Sequence, residues 1–281
     1  MQSCHAFGHG LFLWEVRSPT ATVYILGGLH MGRADFYPMN PAIERAYASS
    51  NLIAVEANIT NQEAMQDAIQ SARFAAPDTL EHHITPALAQ NVSRLAREMG
   101  LNIQQMLGAQ AWLAMSQLSN VDLESMGYQS RYGTDAYFLA RAKNDSKKII
   151  ELETISNQFA LFNSFSDSDQ SAMLEETVES IDSLENISSF QDMLEAWQAG
   201  NLDCFSQLVQ SSFDAHPNKE MLIKKLFTER NERMADKIEA LLKDKNVIFV
   251  VVGAGHLVGE DSVPVRLQRK GFDVLQYWGS R

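Results

Sequence analysis

Cysteine is nearly absent: Cys4 and Cys204 are the only two in 281 residues. Two thiols cannot build a disulfide framework. They allow one bridge from the N-terminus to a later helix, but two free thiols are the default expectation. No apolar run approaches the ~18 residues that a membrane-spanning helix needs, so no transmembrane segment is expected. Basic residues are outnumbered, 23 against 35 acidic, for a net charge of −12. Nucleic-acid surfaces need clustered Lys and Arg, so no nucleic-acid partner is expected either. The deficit is deepest from Ile149 to Asn218, where Lys and Arg are missing and 13 Asp and Glu occur. That stretch reads as the solvated face of acidic helices, with a docking surface for a basic protein partner as the alternative. No Gly-x-Ser-x-Gly occurs and neither cysteine has a reactive context, which argues against a covalent nucleophile. The opening MQSCHAFGHG lacks a basic segment followed by an apolar one, so no export signal is read there. Strand-like sequence nevertheless starts at Leu11, as it would in a chain cut behind a removed signal.

The 45% hydrophobic content is ample for a packed core, and 281 residues suit one large domain or two modest ones. LFLWEVR (11–17) and TVYILG (22–27) read as strands around an SPTA turn. NPAIERAYASS reads as a helix with Asn40 as N-cap and Pro41 in its first position. LIAVEAN (52–58) is a nearly continuous apolar strand, as in a sheet covered on both faces. The C-terminus repeats the order: VIFVVVG is a strand, VPVRLQRKG a helix stopped by Gly271, and FDVLQYW a strand. KKIIELE (147–153) is a further strand after the helix TDAYFLARAKN. Helices are expected at 86–100, at 102–118 and through most of 168–243. The expected fold is α/β: a mostly parallel sheet from two β-α-β pseudo-repeats at the chain ends, with a large helical insertion. As one domain over 1–281, it divides into a half-site unit at 11–58, helical segments at 60–145 and 154–243, and a second half-site unit at 246–281.

TVYILGGLHMG (22–32) and NVIFVVVGAGHLVG (246–259) share one design: an apolar strand, then Gly-x-x-His, then a closing glycine. In open α/β sheets, sites form beyond the carboxyl ends of the strands. Gly27 and Gly253 let the chain turn there and let a ligand approach the backbone. A lone histidine after a strand is ordinarily a loop residue. Two in matching frames imply that His30 and His256 converge on one point, as metal ligands or as an acid–base pair. Glu56, ending the apolar strand LIAVE, is the carboxylate expected beside them. Glu151 and Glu153 share a face of the third strand by period two, and either could join the site or cap the next helix. His82 and His83 read as exposed loop residues, with the pocket mouth as the alternative. His5, His9 and His216 have no supporting context. The twelve Met residues read as core.

GGLHMG, VEAN, YGTD (132–135), IELE followed by NQ (157–158), RN..M (230–234) and GAGHLVGEDSVP occur in the order and approximate spacing of the TraB/GumN family. The chain resembles that family from about Leu13 to Leu275. The family is related to the Tiki proteases and to the wider erythromycin-esterase and ChaN-like group. The resemblance implies metal-dependent hydrolysis of a peptide, protein or ester. The metal would be divalent, manganese or cobalt first, with zinc or iron as alternatives. It also implies two other chemistries: a metal-free esterase with histidine as general base, and a non-catalytic haem- or metal-binding protein. Many bacterial members carry an export signal, so a periplasmic or secreted location is expected, with the cytoplasm as the alternative. Carried over by position, His30, His256 and Glu56 hold the metal, with Glu153 a further candidate ligand. Tyr132 and Arg230 are candidate catalytic groups that orient water or stabilise an oxyanion. Asp135 and Asn231, with Gly27 and Gly253, are candidate substrate-binding positions. One departure is Gly28 before Leu29-His30, where many relatives carry a hydroxyl that would support the site.

Overall fold

The computed structural model describes residues 10–278. Cα proximity divides them into two compact units. The first comprises the described residues through Asn58, Ser130–Thr154, and Gln191 onward. The second comprises Ile59–Gln129 and Ile155–Phe190. No helix among the described residues is long and apolar enough to cross a membrane.

The first unit holds a six-stranded sheet in an α/β setting. Its strands are β1 (Gly10–Arg17), β2 (Thr22–Gly28), β3 (Leu52–Val55), β4 (Lys148–Glu151), β5 (Val247–Gly253) and β6 (Asp273–Trp278), in the order β4-β3-β5-β2-β1-β6. β4, β3, β5 and β2 run parallel; β1 is antiparallel to both its neighbours. Each expected β-α-β unit is present as strand, helix, strand, yet its two strands are not neighbours. β5 inserts between β2 and β3, and β6 lies on the far side of β1. The burial of each strand explains its place. β5, six β-branched or aromatic residues, is almost wholly buried and sits inside the sheet. β6 has one buried residue, Val274, among exposed and half-buried ones and takes an edge.

The helix Pro41–Ser49 starts as its sequence requires, with Asn40 Oδ1 accepting from the Ala42 N–H at 2.9 Å. The helix Val263–Arg269 ends before Gly271, whose φ of +91° only glycine adopts readily. Apolar residues of β1, β2 and β5 pack with Met234, Ala235 and Ile238 of the helix Glu229–Leu241 into one core. Cys204, buried on the helix Leu202–Ser211, is disulfide-bonded, against the expectation of free thiols; Cys4, with His5 and His9, lies outside the described residues.

The second unit is helical, built around Leu88, Val92, Leu95, Leu118, Leu174 and Val178. The helix expected at 102–118 is two helices, Ile103–Leu107 and Ala111–Ser125. They are interrupted at Ala109, which bridges to Arg73 in antiparallel fashion. The long helix-compatible stretch likewise breaks, at Ser183–Leu184, at Gly200 and near His216. Leu184 and Gly200 carry left-handed backbone, which ends a helix.

Candidate active site

β2 and β5 are hydrogen-bonded parallel neighbours that end level, with Gly28 opposite Gly253. The two Gly-x-x-His turns therefore leave the sheet side by side, one residue out of step. His30 follows in a bend, and His256 lies in the 3-10 turn Ala254–Leu257. Gly253 has no strained backbone (φ −55°); its missing side chain is what matters. A Cβ built there would lie 3.5 Å from Glu56 Oε2, 3.6 Å from His256 Cδ2 and 3.8 Å from His30 Nε2. The three leading candidate residues thus border one point at the carboxyl edge of the sheet. The space bounded by Gly28, His30, Glu56, Asp135 and Gly253 is a cavity of about 10 Å³, near the minimum for one water molecule.

The Tyr132–Asp135 segment packs onto the His30 turn through backbone. Thr134 N–H donates to Leu29 O at 2.8 Å, and Leu29 N–H donates to Thr134 Oγ1 at 3.2 Å. A Cβ on Gly133 would fall 2.3 Å from His30 O, so a glycine is required for this approach. Thr134 opens the helix Thr134–Asn144, and Asp135, in its first turn, places Oδ2 3.2 Å from His30 Nδ1. His30 Nε2 is thereby turned toward the shared point.

Glu56, Glu153 and Arg230 form a buried network, each less than 10% exposed. Arg230 Nε donates to Glu153 Oε1 and Oε2 at 3.1 and 3.0 Å, and Nη2 donates to Glu153 Oε2 at 2.8 Å. Nη2 also donates to Glu56 Oε1, and Nη1 to the carbonyl of Leu226 at 3.2 Å. Leu226 belongs to a π-helical turn, Lys224–Thr228, just before the helix that carries Arg230. Such turns release carbonyls from regular pairing and recur at functional sites. Glu56 Oε2 accepts from the Gly253 N–H at 2.9 Å. Asn231 Nδ2 donates to Asp261 O at 3.0 Å, which turns Oδ1 toward His256 Nδ1, 2.6 Å away. His256 Nδ1 therefore carries the proton, and Nε2 presents its lone pair 3.8 Å from Glu56 Oε1.

The environments drive the two imidazoles apart. His30 is raised to about 9, first by the charge of Asp135 and then by its hydrogen bond. Its ring is 67% exposed, so water weakens that pull. Burial lowers His256 to about 4, against the opposing attraction of Glu56. Burial pushes the Glu56 carboxyl up, but His256, Arg230, His30 and the Gly253 N–H outweigh it and leave it at about 2. With His256 neutral at pH 7, Arg230, the charged His30 and the Gly253 N–H are what keep Glu56 ionised there.

The Nε2 of His256, that of His30 once its proton is displaced, and a carboxylate oxygen around a glycine cradle suit a small divalent cation by donor chemistry, and each imidazole is oriented through its other nitrogen as metal-bound histidines are. As the side chains stand, no group of three His, Cys, Asp or Glu among the described residues is drawn together tightly enough to hold an ion. Glu56 is turned to Arg230 and Gly253 instead, and Glu153 faces Arg230 rather than the imidazoles. Arg230, with three of its nitrogens committed, is a counter-ion to both carboxylates. Tyr132 contributes its carbonyl, which accepts from Tyr37 Oη at 2.8 Å, while Arg131 lies over its ring. Gly27 O accepts from Trp197 Nε1 at 2.8 Å. Glu151 accepts from the Asn58 N–H at 2.8 Å. His82 and His83 belong to the second unit.

Two supporting residues escape a sequence reading. Thr134 stands within YGTD but carries no signal of its own. Phe227, whose ring centroid is 5.5 Å from that of His256, gives no signal beyond an aromatic residue one turn before Arg230.

An α/β sheet whose adjacent parallel strands deliver paired Gly-x-x-His turns to a buried Glu–Arg–Glu network defines the class. The TraB/PrgY/gumN family model matches residues 12–276, and the chain belongs to that family. It is similar to the uncharacterized protein YbaP of Escherichia coli (strain K12), 26% identical over 250 residues that cover 87% of each chain. It is also similar to metalloprotease TIKI2 of Xenopus tropicalis, 24% identical over 321 residues, and to metalloprotease TIKI1 of Danio rerio, 22% identical over 319. Those alignments take in 94% of this chain but 59% and 62% of the two metalloproteases. No solved structure matches.

Proposed function

We propose that the chain is a hydrolase of amide or ester bonds, and that His30, Glu56 and His256 together activate the attacking water. The observation that carries this reading is the convergence of all three on the space beside Gly253. The resemblance to proteins named metalloproteases points the same way.

In the metal-dependent form, His30 and His256 through Nε2 and Glu56 through Oε2 would hold a divalent cation, manganese or cobalt first. Such an ion would lower the pKa of water from ~15.7 toward ~7. The rest falls to the protein. Asn231 keeps the His256 lone pair inward. Asp135 fixes the His30 ring by holding its Nδ1–H, and loading would displace the proton at Nε2. Arg230 neutralises Glu56 and Glu153, so Glu56 stays ionised without repulsion between the two.

A second reading is favoured by the hold that Arg230 and Gly253 already have on Glu56. In it no metal is required, and the two imidazoles divide the work. His256, neutral, takes the proton from water at Nε2. His30, protonated beside Asp135, donates at Nε2 to the leaving group. Neighbouring titratable groups with pKa values driven apart are the mark of such a pair. In both readings the space suits water or a bare ion better than a macrocycle. For location, export to the periplasm or beyond remains our reading.

The test is hydrolysis of a mixed peptide and p-nitrophenyl ester panel by the full chain, with and without EDTA, and by His30→Ala. Loss with chelator and recovery with Mn²⁺ supports the first form; indifference to chelator supports the second. Undiminished turnover by His30→Ala, with native far-UV dichroism, would sink both.

A further inference from the structure

A second cavity shares a wall with the site. Its volume is about 400 Å³, within the range of small-ligand pockets and far larger than the space at Gly253. Asn231, which orients His256, lines it, as does Phe227, whose ring faces the His256 imidazole. Gly255, one residue before His256, closes the same wall; a Cβ there would fall 2.9 Å from Phe227 Cε1. Anything seated in this cavity therefore lies against the residues that hold the imidazole.

The lining is divided. Val209, Phe213, Ile223 and Phe227 supply an apolar body, and no Lys or Arg lines it. Two acids do. Asp261 Oδ1 lies 3.4 Å from both Arg266 Nη2 and Arg269 Nη1 and is partly neutralised. Glu260 is exposed and has no ion-pair partner among the described residues. An apolar wall and an unpaired carboxylate lining one cavity match a side chain with a long apolar stem and a cationic head.

We propose that this cavity is a substrate subsite that takes a Lys or Arg side chain of a peptide next to the bond to be cleaved, with Glu260 meeting the cation. The proposal rests on the hydrolase reading for the identity of its occupant as substrate. It assigns Glu260 and Val209 a specificity role that the catalytic groups do not have.

The test is fluorescence anisotropy with labelled pentapeptides, alanine except for a central Lys, norleucine or Glu, on the full chain carrying His30→Ala. Binding is then read without turnover. Lys should bind more tightly than norleucine by about fivefold, the scale of one exposed ion pair, and Glu more weakly than either. Glu260→Gln should abolish the Lys–norleucine difference. Glu260→Arg, a surface change that leaves the core intact, should turn the preference toward Glu. Val209→Trp should weaken Lys and norleucine alike, by on the order of tenfold, through lost stem burial. Equal binding of all three peptides, unmoved by the Glu260 variants, overturns the proposal. Lys and norleucine binding alike, with both lost in Val209→Trp, overturns the part assigned to Glu260. Wild-type turnover of the same peptides separates the two ideas. Preference without cleavage sinks the hydrolase reading, and cleavage without preference sinks the subsite.

Discussion

Glu153 meets Arg230 edge-on, accepting from Nε and Nη2 at 3.0 and 2.8 Å through one oxygen. The same guanidinium reaches Glu56, so one buried cation serves two buried carboxylates. Removing it leaves two charges in a site with little water to replace it. Arg230→Met should cost on the order of 3–5 kcal/mol in denaturant unfolding. Arg230→Lys should recover only part, since a point charge cannot reproduce the fork. A loss no larger than that of an ordinary surface substitution would mean that the carboxylates do not depend on Arg230.

Gly253→Ala separates folding from function. The added Cβ would meet its neighbours at 3.5 Å or more, ordinary contact distance, on an unstrained backbone. Melting temperature should therefore change by no more than a few degrees. The methyl would occupy the point bordered by Glu56, His256 and His30, where water or an ion must sit. Hydrolysis should fall by on the order of a hundredfold or more, the scale of losing a positioned reactant. Full activity in a well-folded Gly253→Ala would move the reacting centre elsewhere.

The His30–Asp135 contact sets a basic limb for the metal-free mechanism. His30 is raised to about 9, chiefly by the Asp135 charge, so its proton is available below that pH and lost above it. His256, lowered to about 4 by burial, is an unprotonated base above that value. Activity should span the interval, and Asp135→Asn should pull the upper limb toward the ordinary histidine value of 6.5. The stability sign agrees. A pKa above the unfolded value stabilises fully below 6.5 and less as pH rises through about 9, and exposure of the ring keeps the effect small. NMR titration of the His30 ring in wild type and Asp135→Asn checks this, and identical curves would remove Asp135 from its assigned part.

The strands were legible because β2, β3 and β5 are short apolar runs closed by glycine or glutamate, and His30, Glu56 and His256 follow from where those runs stop. The strand order was not. A sequence states that β5 is more buried than β6, but not that it slips between β2 and β3. Arg230 and Glu153 were visible as residues but not as partners of one another. Each looked suited to meet a ligand, and only the packing of the Arg230 helix shows that they meet each other. Gly28 is similar. It looked like a lost hydroxyl, yet a Cβ there would lie 2.9 Å from Thr134 Cβ, and Thr134 supplies a hydroxyl to the Leu29 N–H. The hydroxyl at this turn comes from a residue 105 positions beyond Leu29.

His83, expected in an exposed loop, is instead clasped in the second unit. Its Nδ1 lies 2.7 Å from Asp167 Oδ2 and its Nε2 2.9 Å from Asp78 Oδ2. Ionised carboxylates only accept, so both ring nitrogens donate and the ring is an imidazolium. Phe74 stacks on it at 4.2 Å and 7°, and His82 Nδ1 lies 2.8 Å from the other oxygen of Asp78. The His83 pKa is raised, first by the Asp167 hydrogen bond, with burial opposing and Asp78 adding to the rise. A folded pKa above the unfolded one places the full stabilisation below 6.5 and removes it as pH rises through the raised value. Asp78, lowered to about 2 first by its bond to His82 and then by that to His83, contributes above its unfolded value and fails only in strong acid. Wild type should therefore lose stability between a pH below 6.5 and one above the raised His83 value, while His83→Gln, which carries no charge, should be less stable at the lower pH and flatter across the interval. Denaturant midpoints at the two pH values measure both; parallel profiles for the two proteins would show that the clasp carries no charge.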